Sequence, residues 1–197
     1  MLFRSGKKFF ILNQNYIDRQ KLLSTDLMEI SSLLNSLNID SIVLKGMALN
    51  AENLYESNTR YCKDIDILVR KDQLSAAYQA LKKIGYSYYY SDTQDSSNFV
   101  YMHHLPVLVN ENGTTVELHW RITDVALYKD CPATNYFFKY KKKSQLKNTF
   151  IPSYNCMLIH AIYHGVIHHN LDDKVTLLFD IHVLEKAGTK QIGRAHV

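Results

Sequence analysis

The sequence predicts an α+β (α/β) fold: a mixed sheet flanked by helices, with a C-terminal helical segment. Three observations carry that expectation. The elements run helix, strand, helix, strand, helix, three strands, helices, which is not a regular βαβ series. The chain of 197 residues is 46% hydrophobic and 21% charged, the composition of a globular chain with one real core. No apolar run approaches the roughly 20 residues that a membrane span needs, so no membrane partner is expected. The apolar patch over 9–12 is too short for a secretory core. Cys62, Cys131 and Cys156 are far apart and form no CxxC pair, so a reducing cytoplasm is the simplest compartment. The net charge of +4 permits a polyanionic partner without demanding one.

Each element follows from its spacing. Ile17, Leu22, Leu23, Leu27, Ile30, Leu33, Leu34 and Leu37 recur at a helical period, which predicts an amphipathic helix over 14–37. The run Ser41-Ile42-Val43-Leu44 ahead of Lys45-Gly46 predicts a buried strand entering a tight turn, with a helix over 47–55. Asp64 to Val69 starts as an alternation and then turns continuously apolar, a strand with one polar face near its start. Asp72 is expected to cap a helix that Gly85 stops. A strand is expected at 86–90. Two more, over 99–109 and 114–120, flank the hairpin turn Asn110-Glu111-Asn112-Gly113. Pro106 calls for an edge position or a bulge in the first arm. Two helices follow, over about 153–168 and 175–187, and no repeat is visible.

The most informative segment is Asp64-Ile65-Asp66-Ile67-Leu68-Val69. Residues two apart on a strand point the same way, so Asp64 and Asp66 share a face and repel each other. A cation between them relieves the repulsion, and oxygen ligands suit Mg²⁺ or Mn²⁺. Two such ions clamp the attacking and leaving oxygens of a phosphoryl transfer. Glu117, in Val116-Glu117-Leu118-His119-Trp120, is the candidate third carboxylate, because Val116 and Leu118 face the other way, into the core. The plain alternative for a DxD pair is a solvated strand end. Context favours the site. Lys45-Gly46 sits at a strand-turn-helix junction, where backbone N–H groups meet a phosphate, and Arg60 offers a guanidinium four residues before Asp64.

The run Leu44-Lys45-Gly46-Met47-Ala48-Leu49, with Leu54-Tyr55, Arg60 and the Asp64 to Val69 strand, resembles the nucleotidyltransferase superfamily of the DNA polymerase β type. It is most similar to its uncharacterised bacterial group, and akin to the nucleotidyltransferase toxins of abortive-infection systems. Val116 to Trp120, and the helix with His160 and His164 followed by Asp180, are similar to that group too, so the resemblance spans about 42–184. It implies a polymerase β-like fold and transfer of a nucleoside monophosphate from an NTP, ATP being the expected one, to a hydroxyl-bearing acceptor, with release of pyrophosphate. Gly46, with Lys45 and Arg60, would bind the nucleotide. Asp64, Asp66 and Glu117 would bind Mg²⁺ or Mn²⁺ and carry catalysis, Glu117 as ligand or general base. Met47 replaces the second small residue of the superfamily turn, and the gap from Gly46 to Asp64 is longer than in minimal members. Nothing in the residues selects among a small molecule, a peptide, a protein or RNA as acceptor, or fixes an oligomeric state. The competing readings are a non-catalytic nucleotide-binding module of the same fold and a histidine-based metal hydrolase.

Other features have plainer readings. His160, His164 and His168 lie at i, i+4 and i+8. They suggest zinc only if Asp180 or His182 adds a ligand, and otherwise a packed helix or a pocket wall holding His164 and Asp180. His119 shares the face of Glu117 and suits a supporting role. His103-His104 reads as a solvated or half-buried pair. The basic run from Lys139 to Lys143, with Lys147, reads as a solvated face rather than a nucleic-acid track. The expected organisation is an N-terminal helical region (1–40), the catalytic core (41–122) and a C-terminal helical region (123–191). Residues 192–197 read as the translation of a sequencing-library adapter, so the natural chain is expected to continue differently beyond about 191.

Overall fold

A computed structural model describes residues 2–55, 59–90, 102–123, 132–168, 171 and 174–194, with side chains for 14–55, 59–90, 102–123, 132–166, 171 and 175–188. The first helix, α1 (Leu2–Ser36), starts earlier than the apolar period suggests. Its stripe is nonetheless the expected one: Leu23, Leu27, Ile30 and Leu34 are fully buried. Strand β1 (Ser41–Val43) leads through Leu44 into helix α2 (Lys45–Ala51). Strand β2 (Ile65–Val69) follows. A 3-10 turn (Lys71–Gln73) opens helix α3 (Leu74–Lys83). Asp72 lies inside that turn rather than capping the helix, and no side chain caps either end piece. Gly85, at φ +92°, ends the helix as expected, because this backbone region is open to glycine at no steric cost.

Strands β3 (Ser87–Tyr88), β4 (Leu108–Val109) and β5 (Thr115–His119) complete a five-stranded mixed sheet in the order β1-β2-β5-β4-β3. β1 runs antiparallel to β2, β2 is parallel to β5, and β5 to β4 and β4 to β3 are antiparallel. The β4–β5 hairpin closes over the expected turn, where Asn110 and Thr114 pair through backbone and side chain. Its first arm carries a bulge. His104 faces His119, and Leu108 faces Val116, so four steps on one arm oppose three on the other. Pro106 sits in that interval, where a missing N–H does no harm. The upstream part of this arm, 99–101, is outside the described residues.

The sheet separates two apolar clusters. Ile65, Ile67, Val69, Val116 and Leu118 pack under α1 and α3. On the other face, Ile42, Leu44 and Leu68 pack with Phe137 and Phe138 of helix α4 (Ala133–Lys139) and with Cys156. A second sheet, β6 (Lys141–Lys143) with β7 (Phe150–Pro152), was not legible in a run of lysines. Lys141 pairs with Asp40 and Lys142 with Glu52, so two charges of the basic run bind the chain itself. Helix α5 (Tyr154–Tyr163), capped by Ser153, continues as a π turn (His164–His168), and helix α6 (Lys174–Arg194) packs against it.

Candidate functional site

The site forms where β2 and β5 lie side by side. Their parallel register sets Asp66 beside Glu117. Period-two alternation then turns Asp66, Glu117 and His119 to one face, while Ile65, Ile67, Val116 and Leu118 enter the core. His119 Nε2 lies 2.9 Å from Asp66 Oδ1 and 3.3 Å from Glu117 Oε2. Among the described residues these three form the only group whose ligand atoms all fall within 4.8 Å of one another. Asp64, one residue before β2, is outside that tight group but lines the same cavity as Asp66.

Lys45 reaches into the group. Its Nζ lies 2.5 Å from Asp66 and 3.5 Å from Glu117. Its backbone adopts φ +50°, the left-handed region, which costs a non-glycine residue roughly 1 kcal/mol. The lysine is therefore a half-buried countercharge. Gly46 follows it. A Cβ there would lie 2.7 Å from Cys62 Sγ and 3.5 Å from Arg60 Cζ, so the segment 60–62 can close on α2 only over glycine.

The electrostatics follow from burial and these contacts. Burial opposes ionisation of Asp66, but the Lys45 charge and the His119 hydrogen bond hold its carboxyl far below the usual range. Glu117 is likewise lowered: burial works against it, and its hydrogen bond with His119 prevails. Burial alone would lower Lys45 and His119, yet the charge of Asp66 raises the first, and hydrogen bonds to Asp66 and Glu117 raise the second. Asp64 is pushed up to about 6, by burial first and then by the charges of Asp66 and Glu117. Asp64 is the carboxyl that Lys45 least relieves. A divalent cation with oxygen donors fits it, because such an ion would answer the repulsion among Asp64, Asp66 and Glu117.

Arg60 is engaged. Nε and Nη2 grip both oxygens of Asp180 at 2.8 and 3.0 Å, and Nη1 donates to the Tyr61 carbonyl at 2.6 Å. The Tyr55 hydroxyl donates to Asp180 at 2.5 Å. Arg60 thus ties α6 to the segment before β2. Two cavities meet here, sharing Lys45, Arg60, Lys63 and Thr176. One, of about 390 Å³, is walled by Gly46, Asp64, Asp66, Tyr61 and Phe179. The other, of about 350 Å³, lies between α5 and α6 and is walled by Leu49, Met157, His160, His164, Leu177 and Asp180. His160 is buried edge-on against Phe137, and burial drives its pKa well down, so it is a neutral ring. His164 lies 5.9 Å from it. Asp180 holds Arg60 and Tyr55, and the His168 side chain is outside the described residues.

Two residues of the site had only a weak signal in the sequence. His103 and His104 pack beside His119 with tilted rings, their centroids 5.2 and 5.1 Å away. The expected pairing of their arm with β5 was the signal that could have placed them there.

The sequence profile of a family described as "Uncharacterised nucleotidyltransferase" matches residues 12–196. The chain belongs to that family. Solved structures agree on the fold. An antigenic nucleotidyltransferase-like protein from Paracoccidioides brasiliensis aligns with a TM-score of 0.55 at 20% identity, over 82% of this chain and 74% of its own. The antibiotic-resistance factor ANT(2'')-Ia in solution aligns with a TM-score of 0.58 at 8% identity, over 85% of each chain. The crystal structure of ANT(2'')-Ia in complex with adenylyl-2''-tobramycin gives a TM-score of 0.58 at 10% identity, over 86% of this chain and 92% of the other. No curated protein sequence matches the chain. The expected mixed sheet flanked by helices is the fold of this family member, and it matches the nucleotidyltransferase fold of these neighbours.

Proposed function

We propose that this family member is a divalent-cation-dependent nucleotidyltransferase that moves a nucleoside monophosphate from an NTP, ATP foremost, to a hydroxyl of an acceptor. The observation that carries this reading is the convergence of Asp66 and Glu117 from paired strands, with Asp64 at the shared cavity and Lys45 between them. Asp64, Asp66 and Glu117 would hold Mg²⁺ or Mn²⁺. When bound, the ion supplies charge neutralisation on the phosphates.

The protein's own groups supply the rest. Lys45 offsets charge at the phosphates and at Asp66, and its strained backbone holds it there. Gly46 and the start of α2 lie on the wall of the same cavity and suit a phosphate. Arg60 lines both cavities and contributes positive potential while its donors hold Asp180 and Tyr61. His119 fixes the orientation of Asp66 and Glu117. The acceptor oxygen attacks the α-phosphorus, the bond from that phosphorus to the oxygen bridging to the β-phosphate breaks, and pyrophosphate leaves; Glu117 takes the hydroxyl proton if it serves as general base rather than as a ligand of the ion. Catalysis rests on positioning and fixed charge.

The cavity beside His160, His164 and Asp180 suits the acceptor. At about 350 Å³ it matches a small molecule or a single inserted group. Among the described residues Asp180 is the one lining carboxylate, and it is paired with Arg60, which favours an uncharged or anionic acceptor over a polycation.

The test is incubation with each α-labelled NTP, Mg²⁺ or Mn²⁺, and cell lysate separated into small-molecule, protein and RNA fractions. Label should enter one fraction with wild type and vanish with the Asp64→Ala, Asp66→Ala double variant. Transfer that survives the double variant overturns the site.

A further inference from the structure

We infer that Phe179 is the platform on which the nucleobase of the NTP stacks. The inference rests on the nucleotide site proposed above and deepens it. Phe179 is 59% exposed, which is unusual for a phenylalanine in a described helix of a folded chain. It lies on the wall of the cavity that also holds Asp64, Asp66 and Gly46. With Val175 and Thr176 it forms the part of that wall contributed by α6, at helical spacing. Leu178, the adjacent residue and just as exposed, does not line the cavity.

The cavity is therefore two-sided in chemistry. Carboxylates, Lys45 and the glycine of α2 form one wall, and an apolar wall with an aromatic ring comes from α6. A nucleoside triphosphate has the same division: charged phosphates at one end and a flat π-face at the other. The volume of about 390 Å³ falls within the range of small-ligand sites. The π-face of every base can stack, so the platform supplies affinity without strict base choice. Tyr61, which also lines this cavity, already stacks on Tyr16 at 5.6 Å. Phe179 is the aromatic that α6 presents to the cavity.

The experiment measures binding of ATP and of inorganic tripolyphosphate, each with Mg²⁺, to the full chain by calorimetry. Stacking of one base predicts that Phe179→Ala weakens ATP by about 5- to 150-fold. Tripolyphosphate, which has no base, should bind Phe179→Ala within twofold of wild type. Leu178→Ala should change neither. Phe179→Trp should keep ATP binding and report it by quenched indole fluorescence, while tripolyphosphate leaves that emission unchanged. If wild type binds both probes and Phe179→Ala loses neither, the platform is wrong and the nucleotide site stands. Equal loss of both probes in Phe179→Ala also overturns it, because a base platform cannot act on tripolyphosphate. If wild type binds neither, the nucleotide site itself fails.

Discussion

At the scale of single residues, the site keeps a carboxylate where folding alone would not. Asp64 is partly desolvated beside two ionised neighbours, and its raised pKa says that its charge opposes the folded state above the ordinary carboxylate range. Removing the charge while keeping the shape should therefore stabilise the protein. Asp64→Asn, melted in EDTA, is expected to gain about 1–2 kcal/mol after allowance for the part of the carboxyl that stays wet. That corresponds to a rise of a few degrees in Tm for a chain of this size. The same variant should lose transfer. A melting point that falls in EDTA would show that Asp64 is structural. The carboxylates and His119 were legible because alternation on a strand fixes which face each residue takes. The role of Lys45 was not, because it depends on a left-handed backbone at a non-glycine residue, which composition and period do not encode.

At the scale of elements, the turn into α2 explains its glycine by contact as well as by chemistry. Gly46 admits Cys62 Sγ where a methyl group would sit. Cys62 is itself buried, and burial pushes its thiol up to about 12, so it packs as a neutral thiol. Gly46→Ala is expected to cost about 1–3 kcal/mol from overpacking. Cys62→Ala in the same chain should recover most of that loss, so the pair should show a coupling energy in a double-mutant cycle of thermal melts. Additive losses would mean that the glycine serves only its backbone. The helices and the core strands were readable because their apolar residues repeat at 3.6 or 2. The β6–β7 pair was not, because the run Lys141–Lys143 has no apolar face of its own. It is held by partners far away in sequence, Asp40 and Glu52, and by the buried Ile151 opposite Lys142.

At the scale of the molecule, an ion pair adds to the apolar contacts of Cys156, Met157 and Leu184 and ties the segment before the carboxylate strand to α6. Arg60 and Asp180 are 120 residues apart, so no local pattern could reveal that this guanidinium holds a helix. The pair has two charge-assisted hydrogen bonds to one carboxylate plus the Tyr55 hydroxyl, a geometry that fixes α6 in angle as well as distance. It sits between the two proposed substrate cavities, so the placement of α6 determines the walls of both. Asp180→Asn keeps the volume and removes the charge. It leaves a largely buried guanidinium without its counterion, with an expected loss of about 2–3 kcal/mol for a pair that is not wholly desolvated. The loss should be local. Hydrogen exchange of amides in α6 and the end of α5 should quicken by roughly 10- to 100-fold, while β2 and β5, held by the core on the opposite face, exchange as before. KM for both substrates should rise more than kcat falls, because the cavity walls move while Asp66, Glu117, His119 and Lys45 keep their mutual contacts. Uniform acceleration across the sheet would show that the pair supports the whole fold. Unchanged exchange in α6 would show that the apolar contacts of Leu184 and its neighbours hold the helix without it.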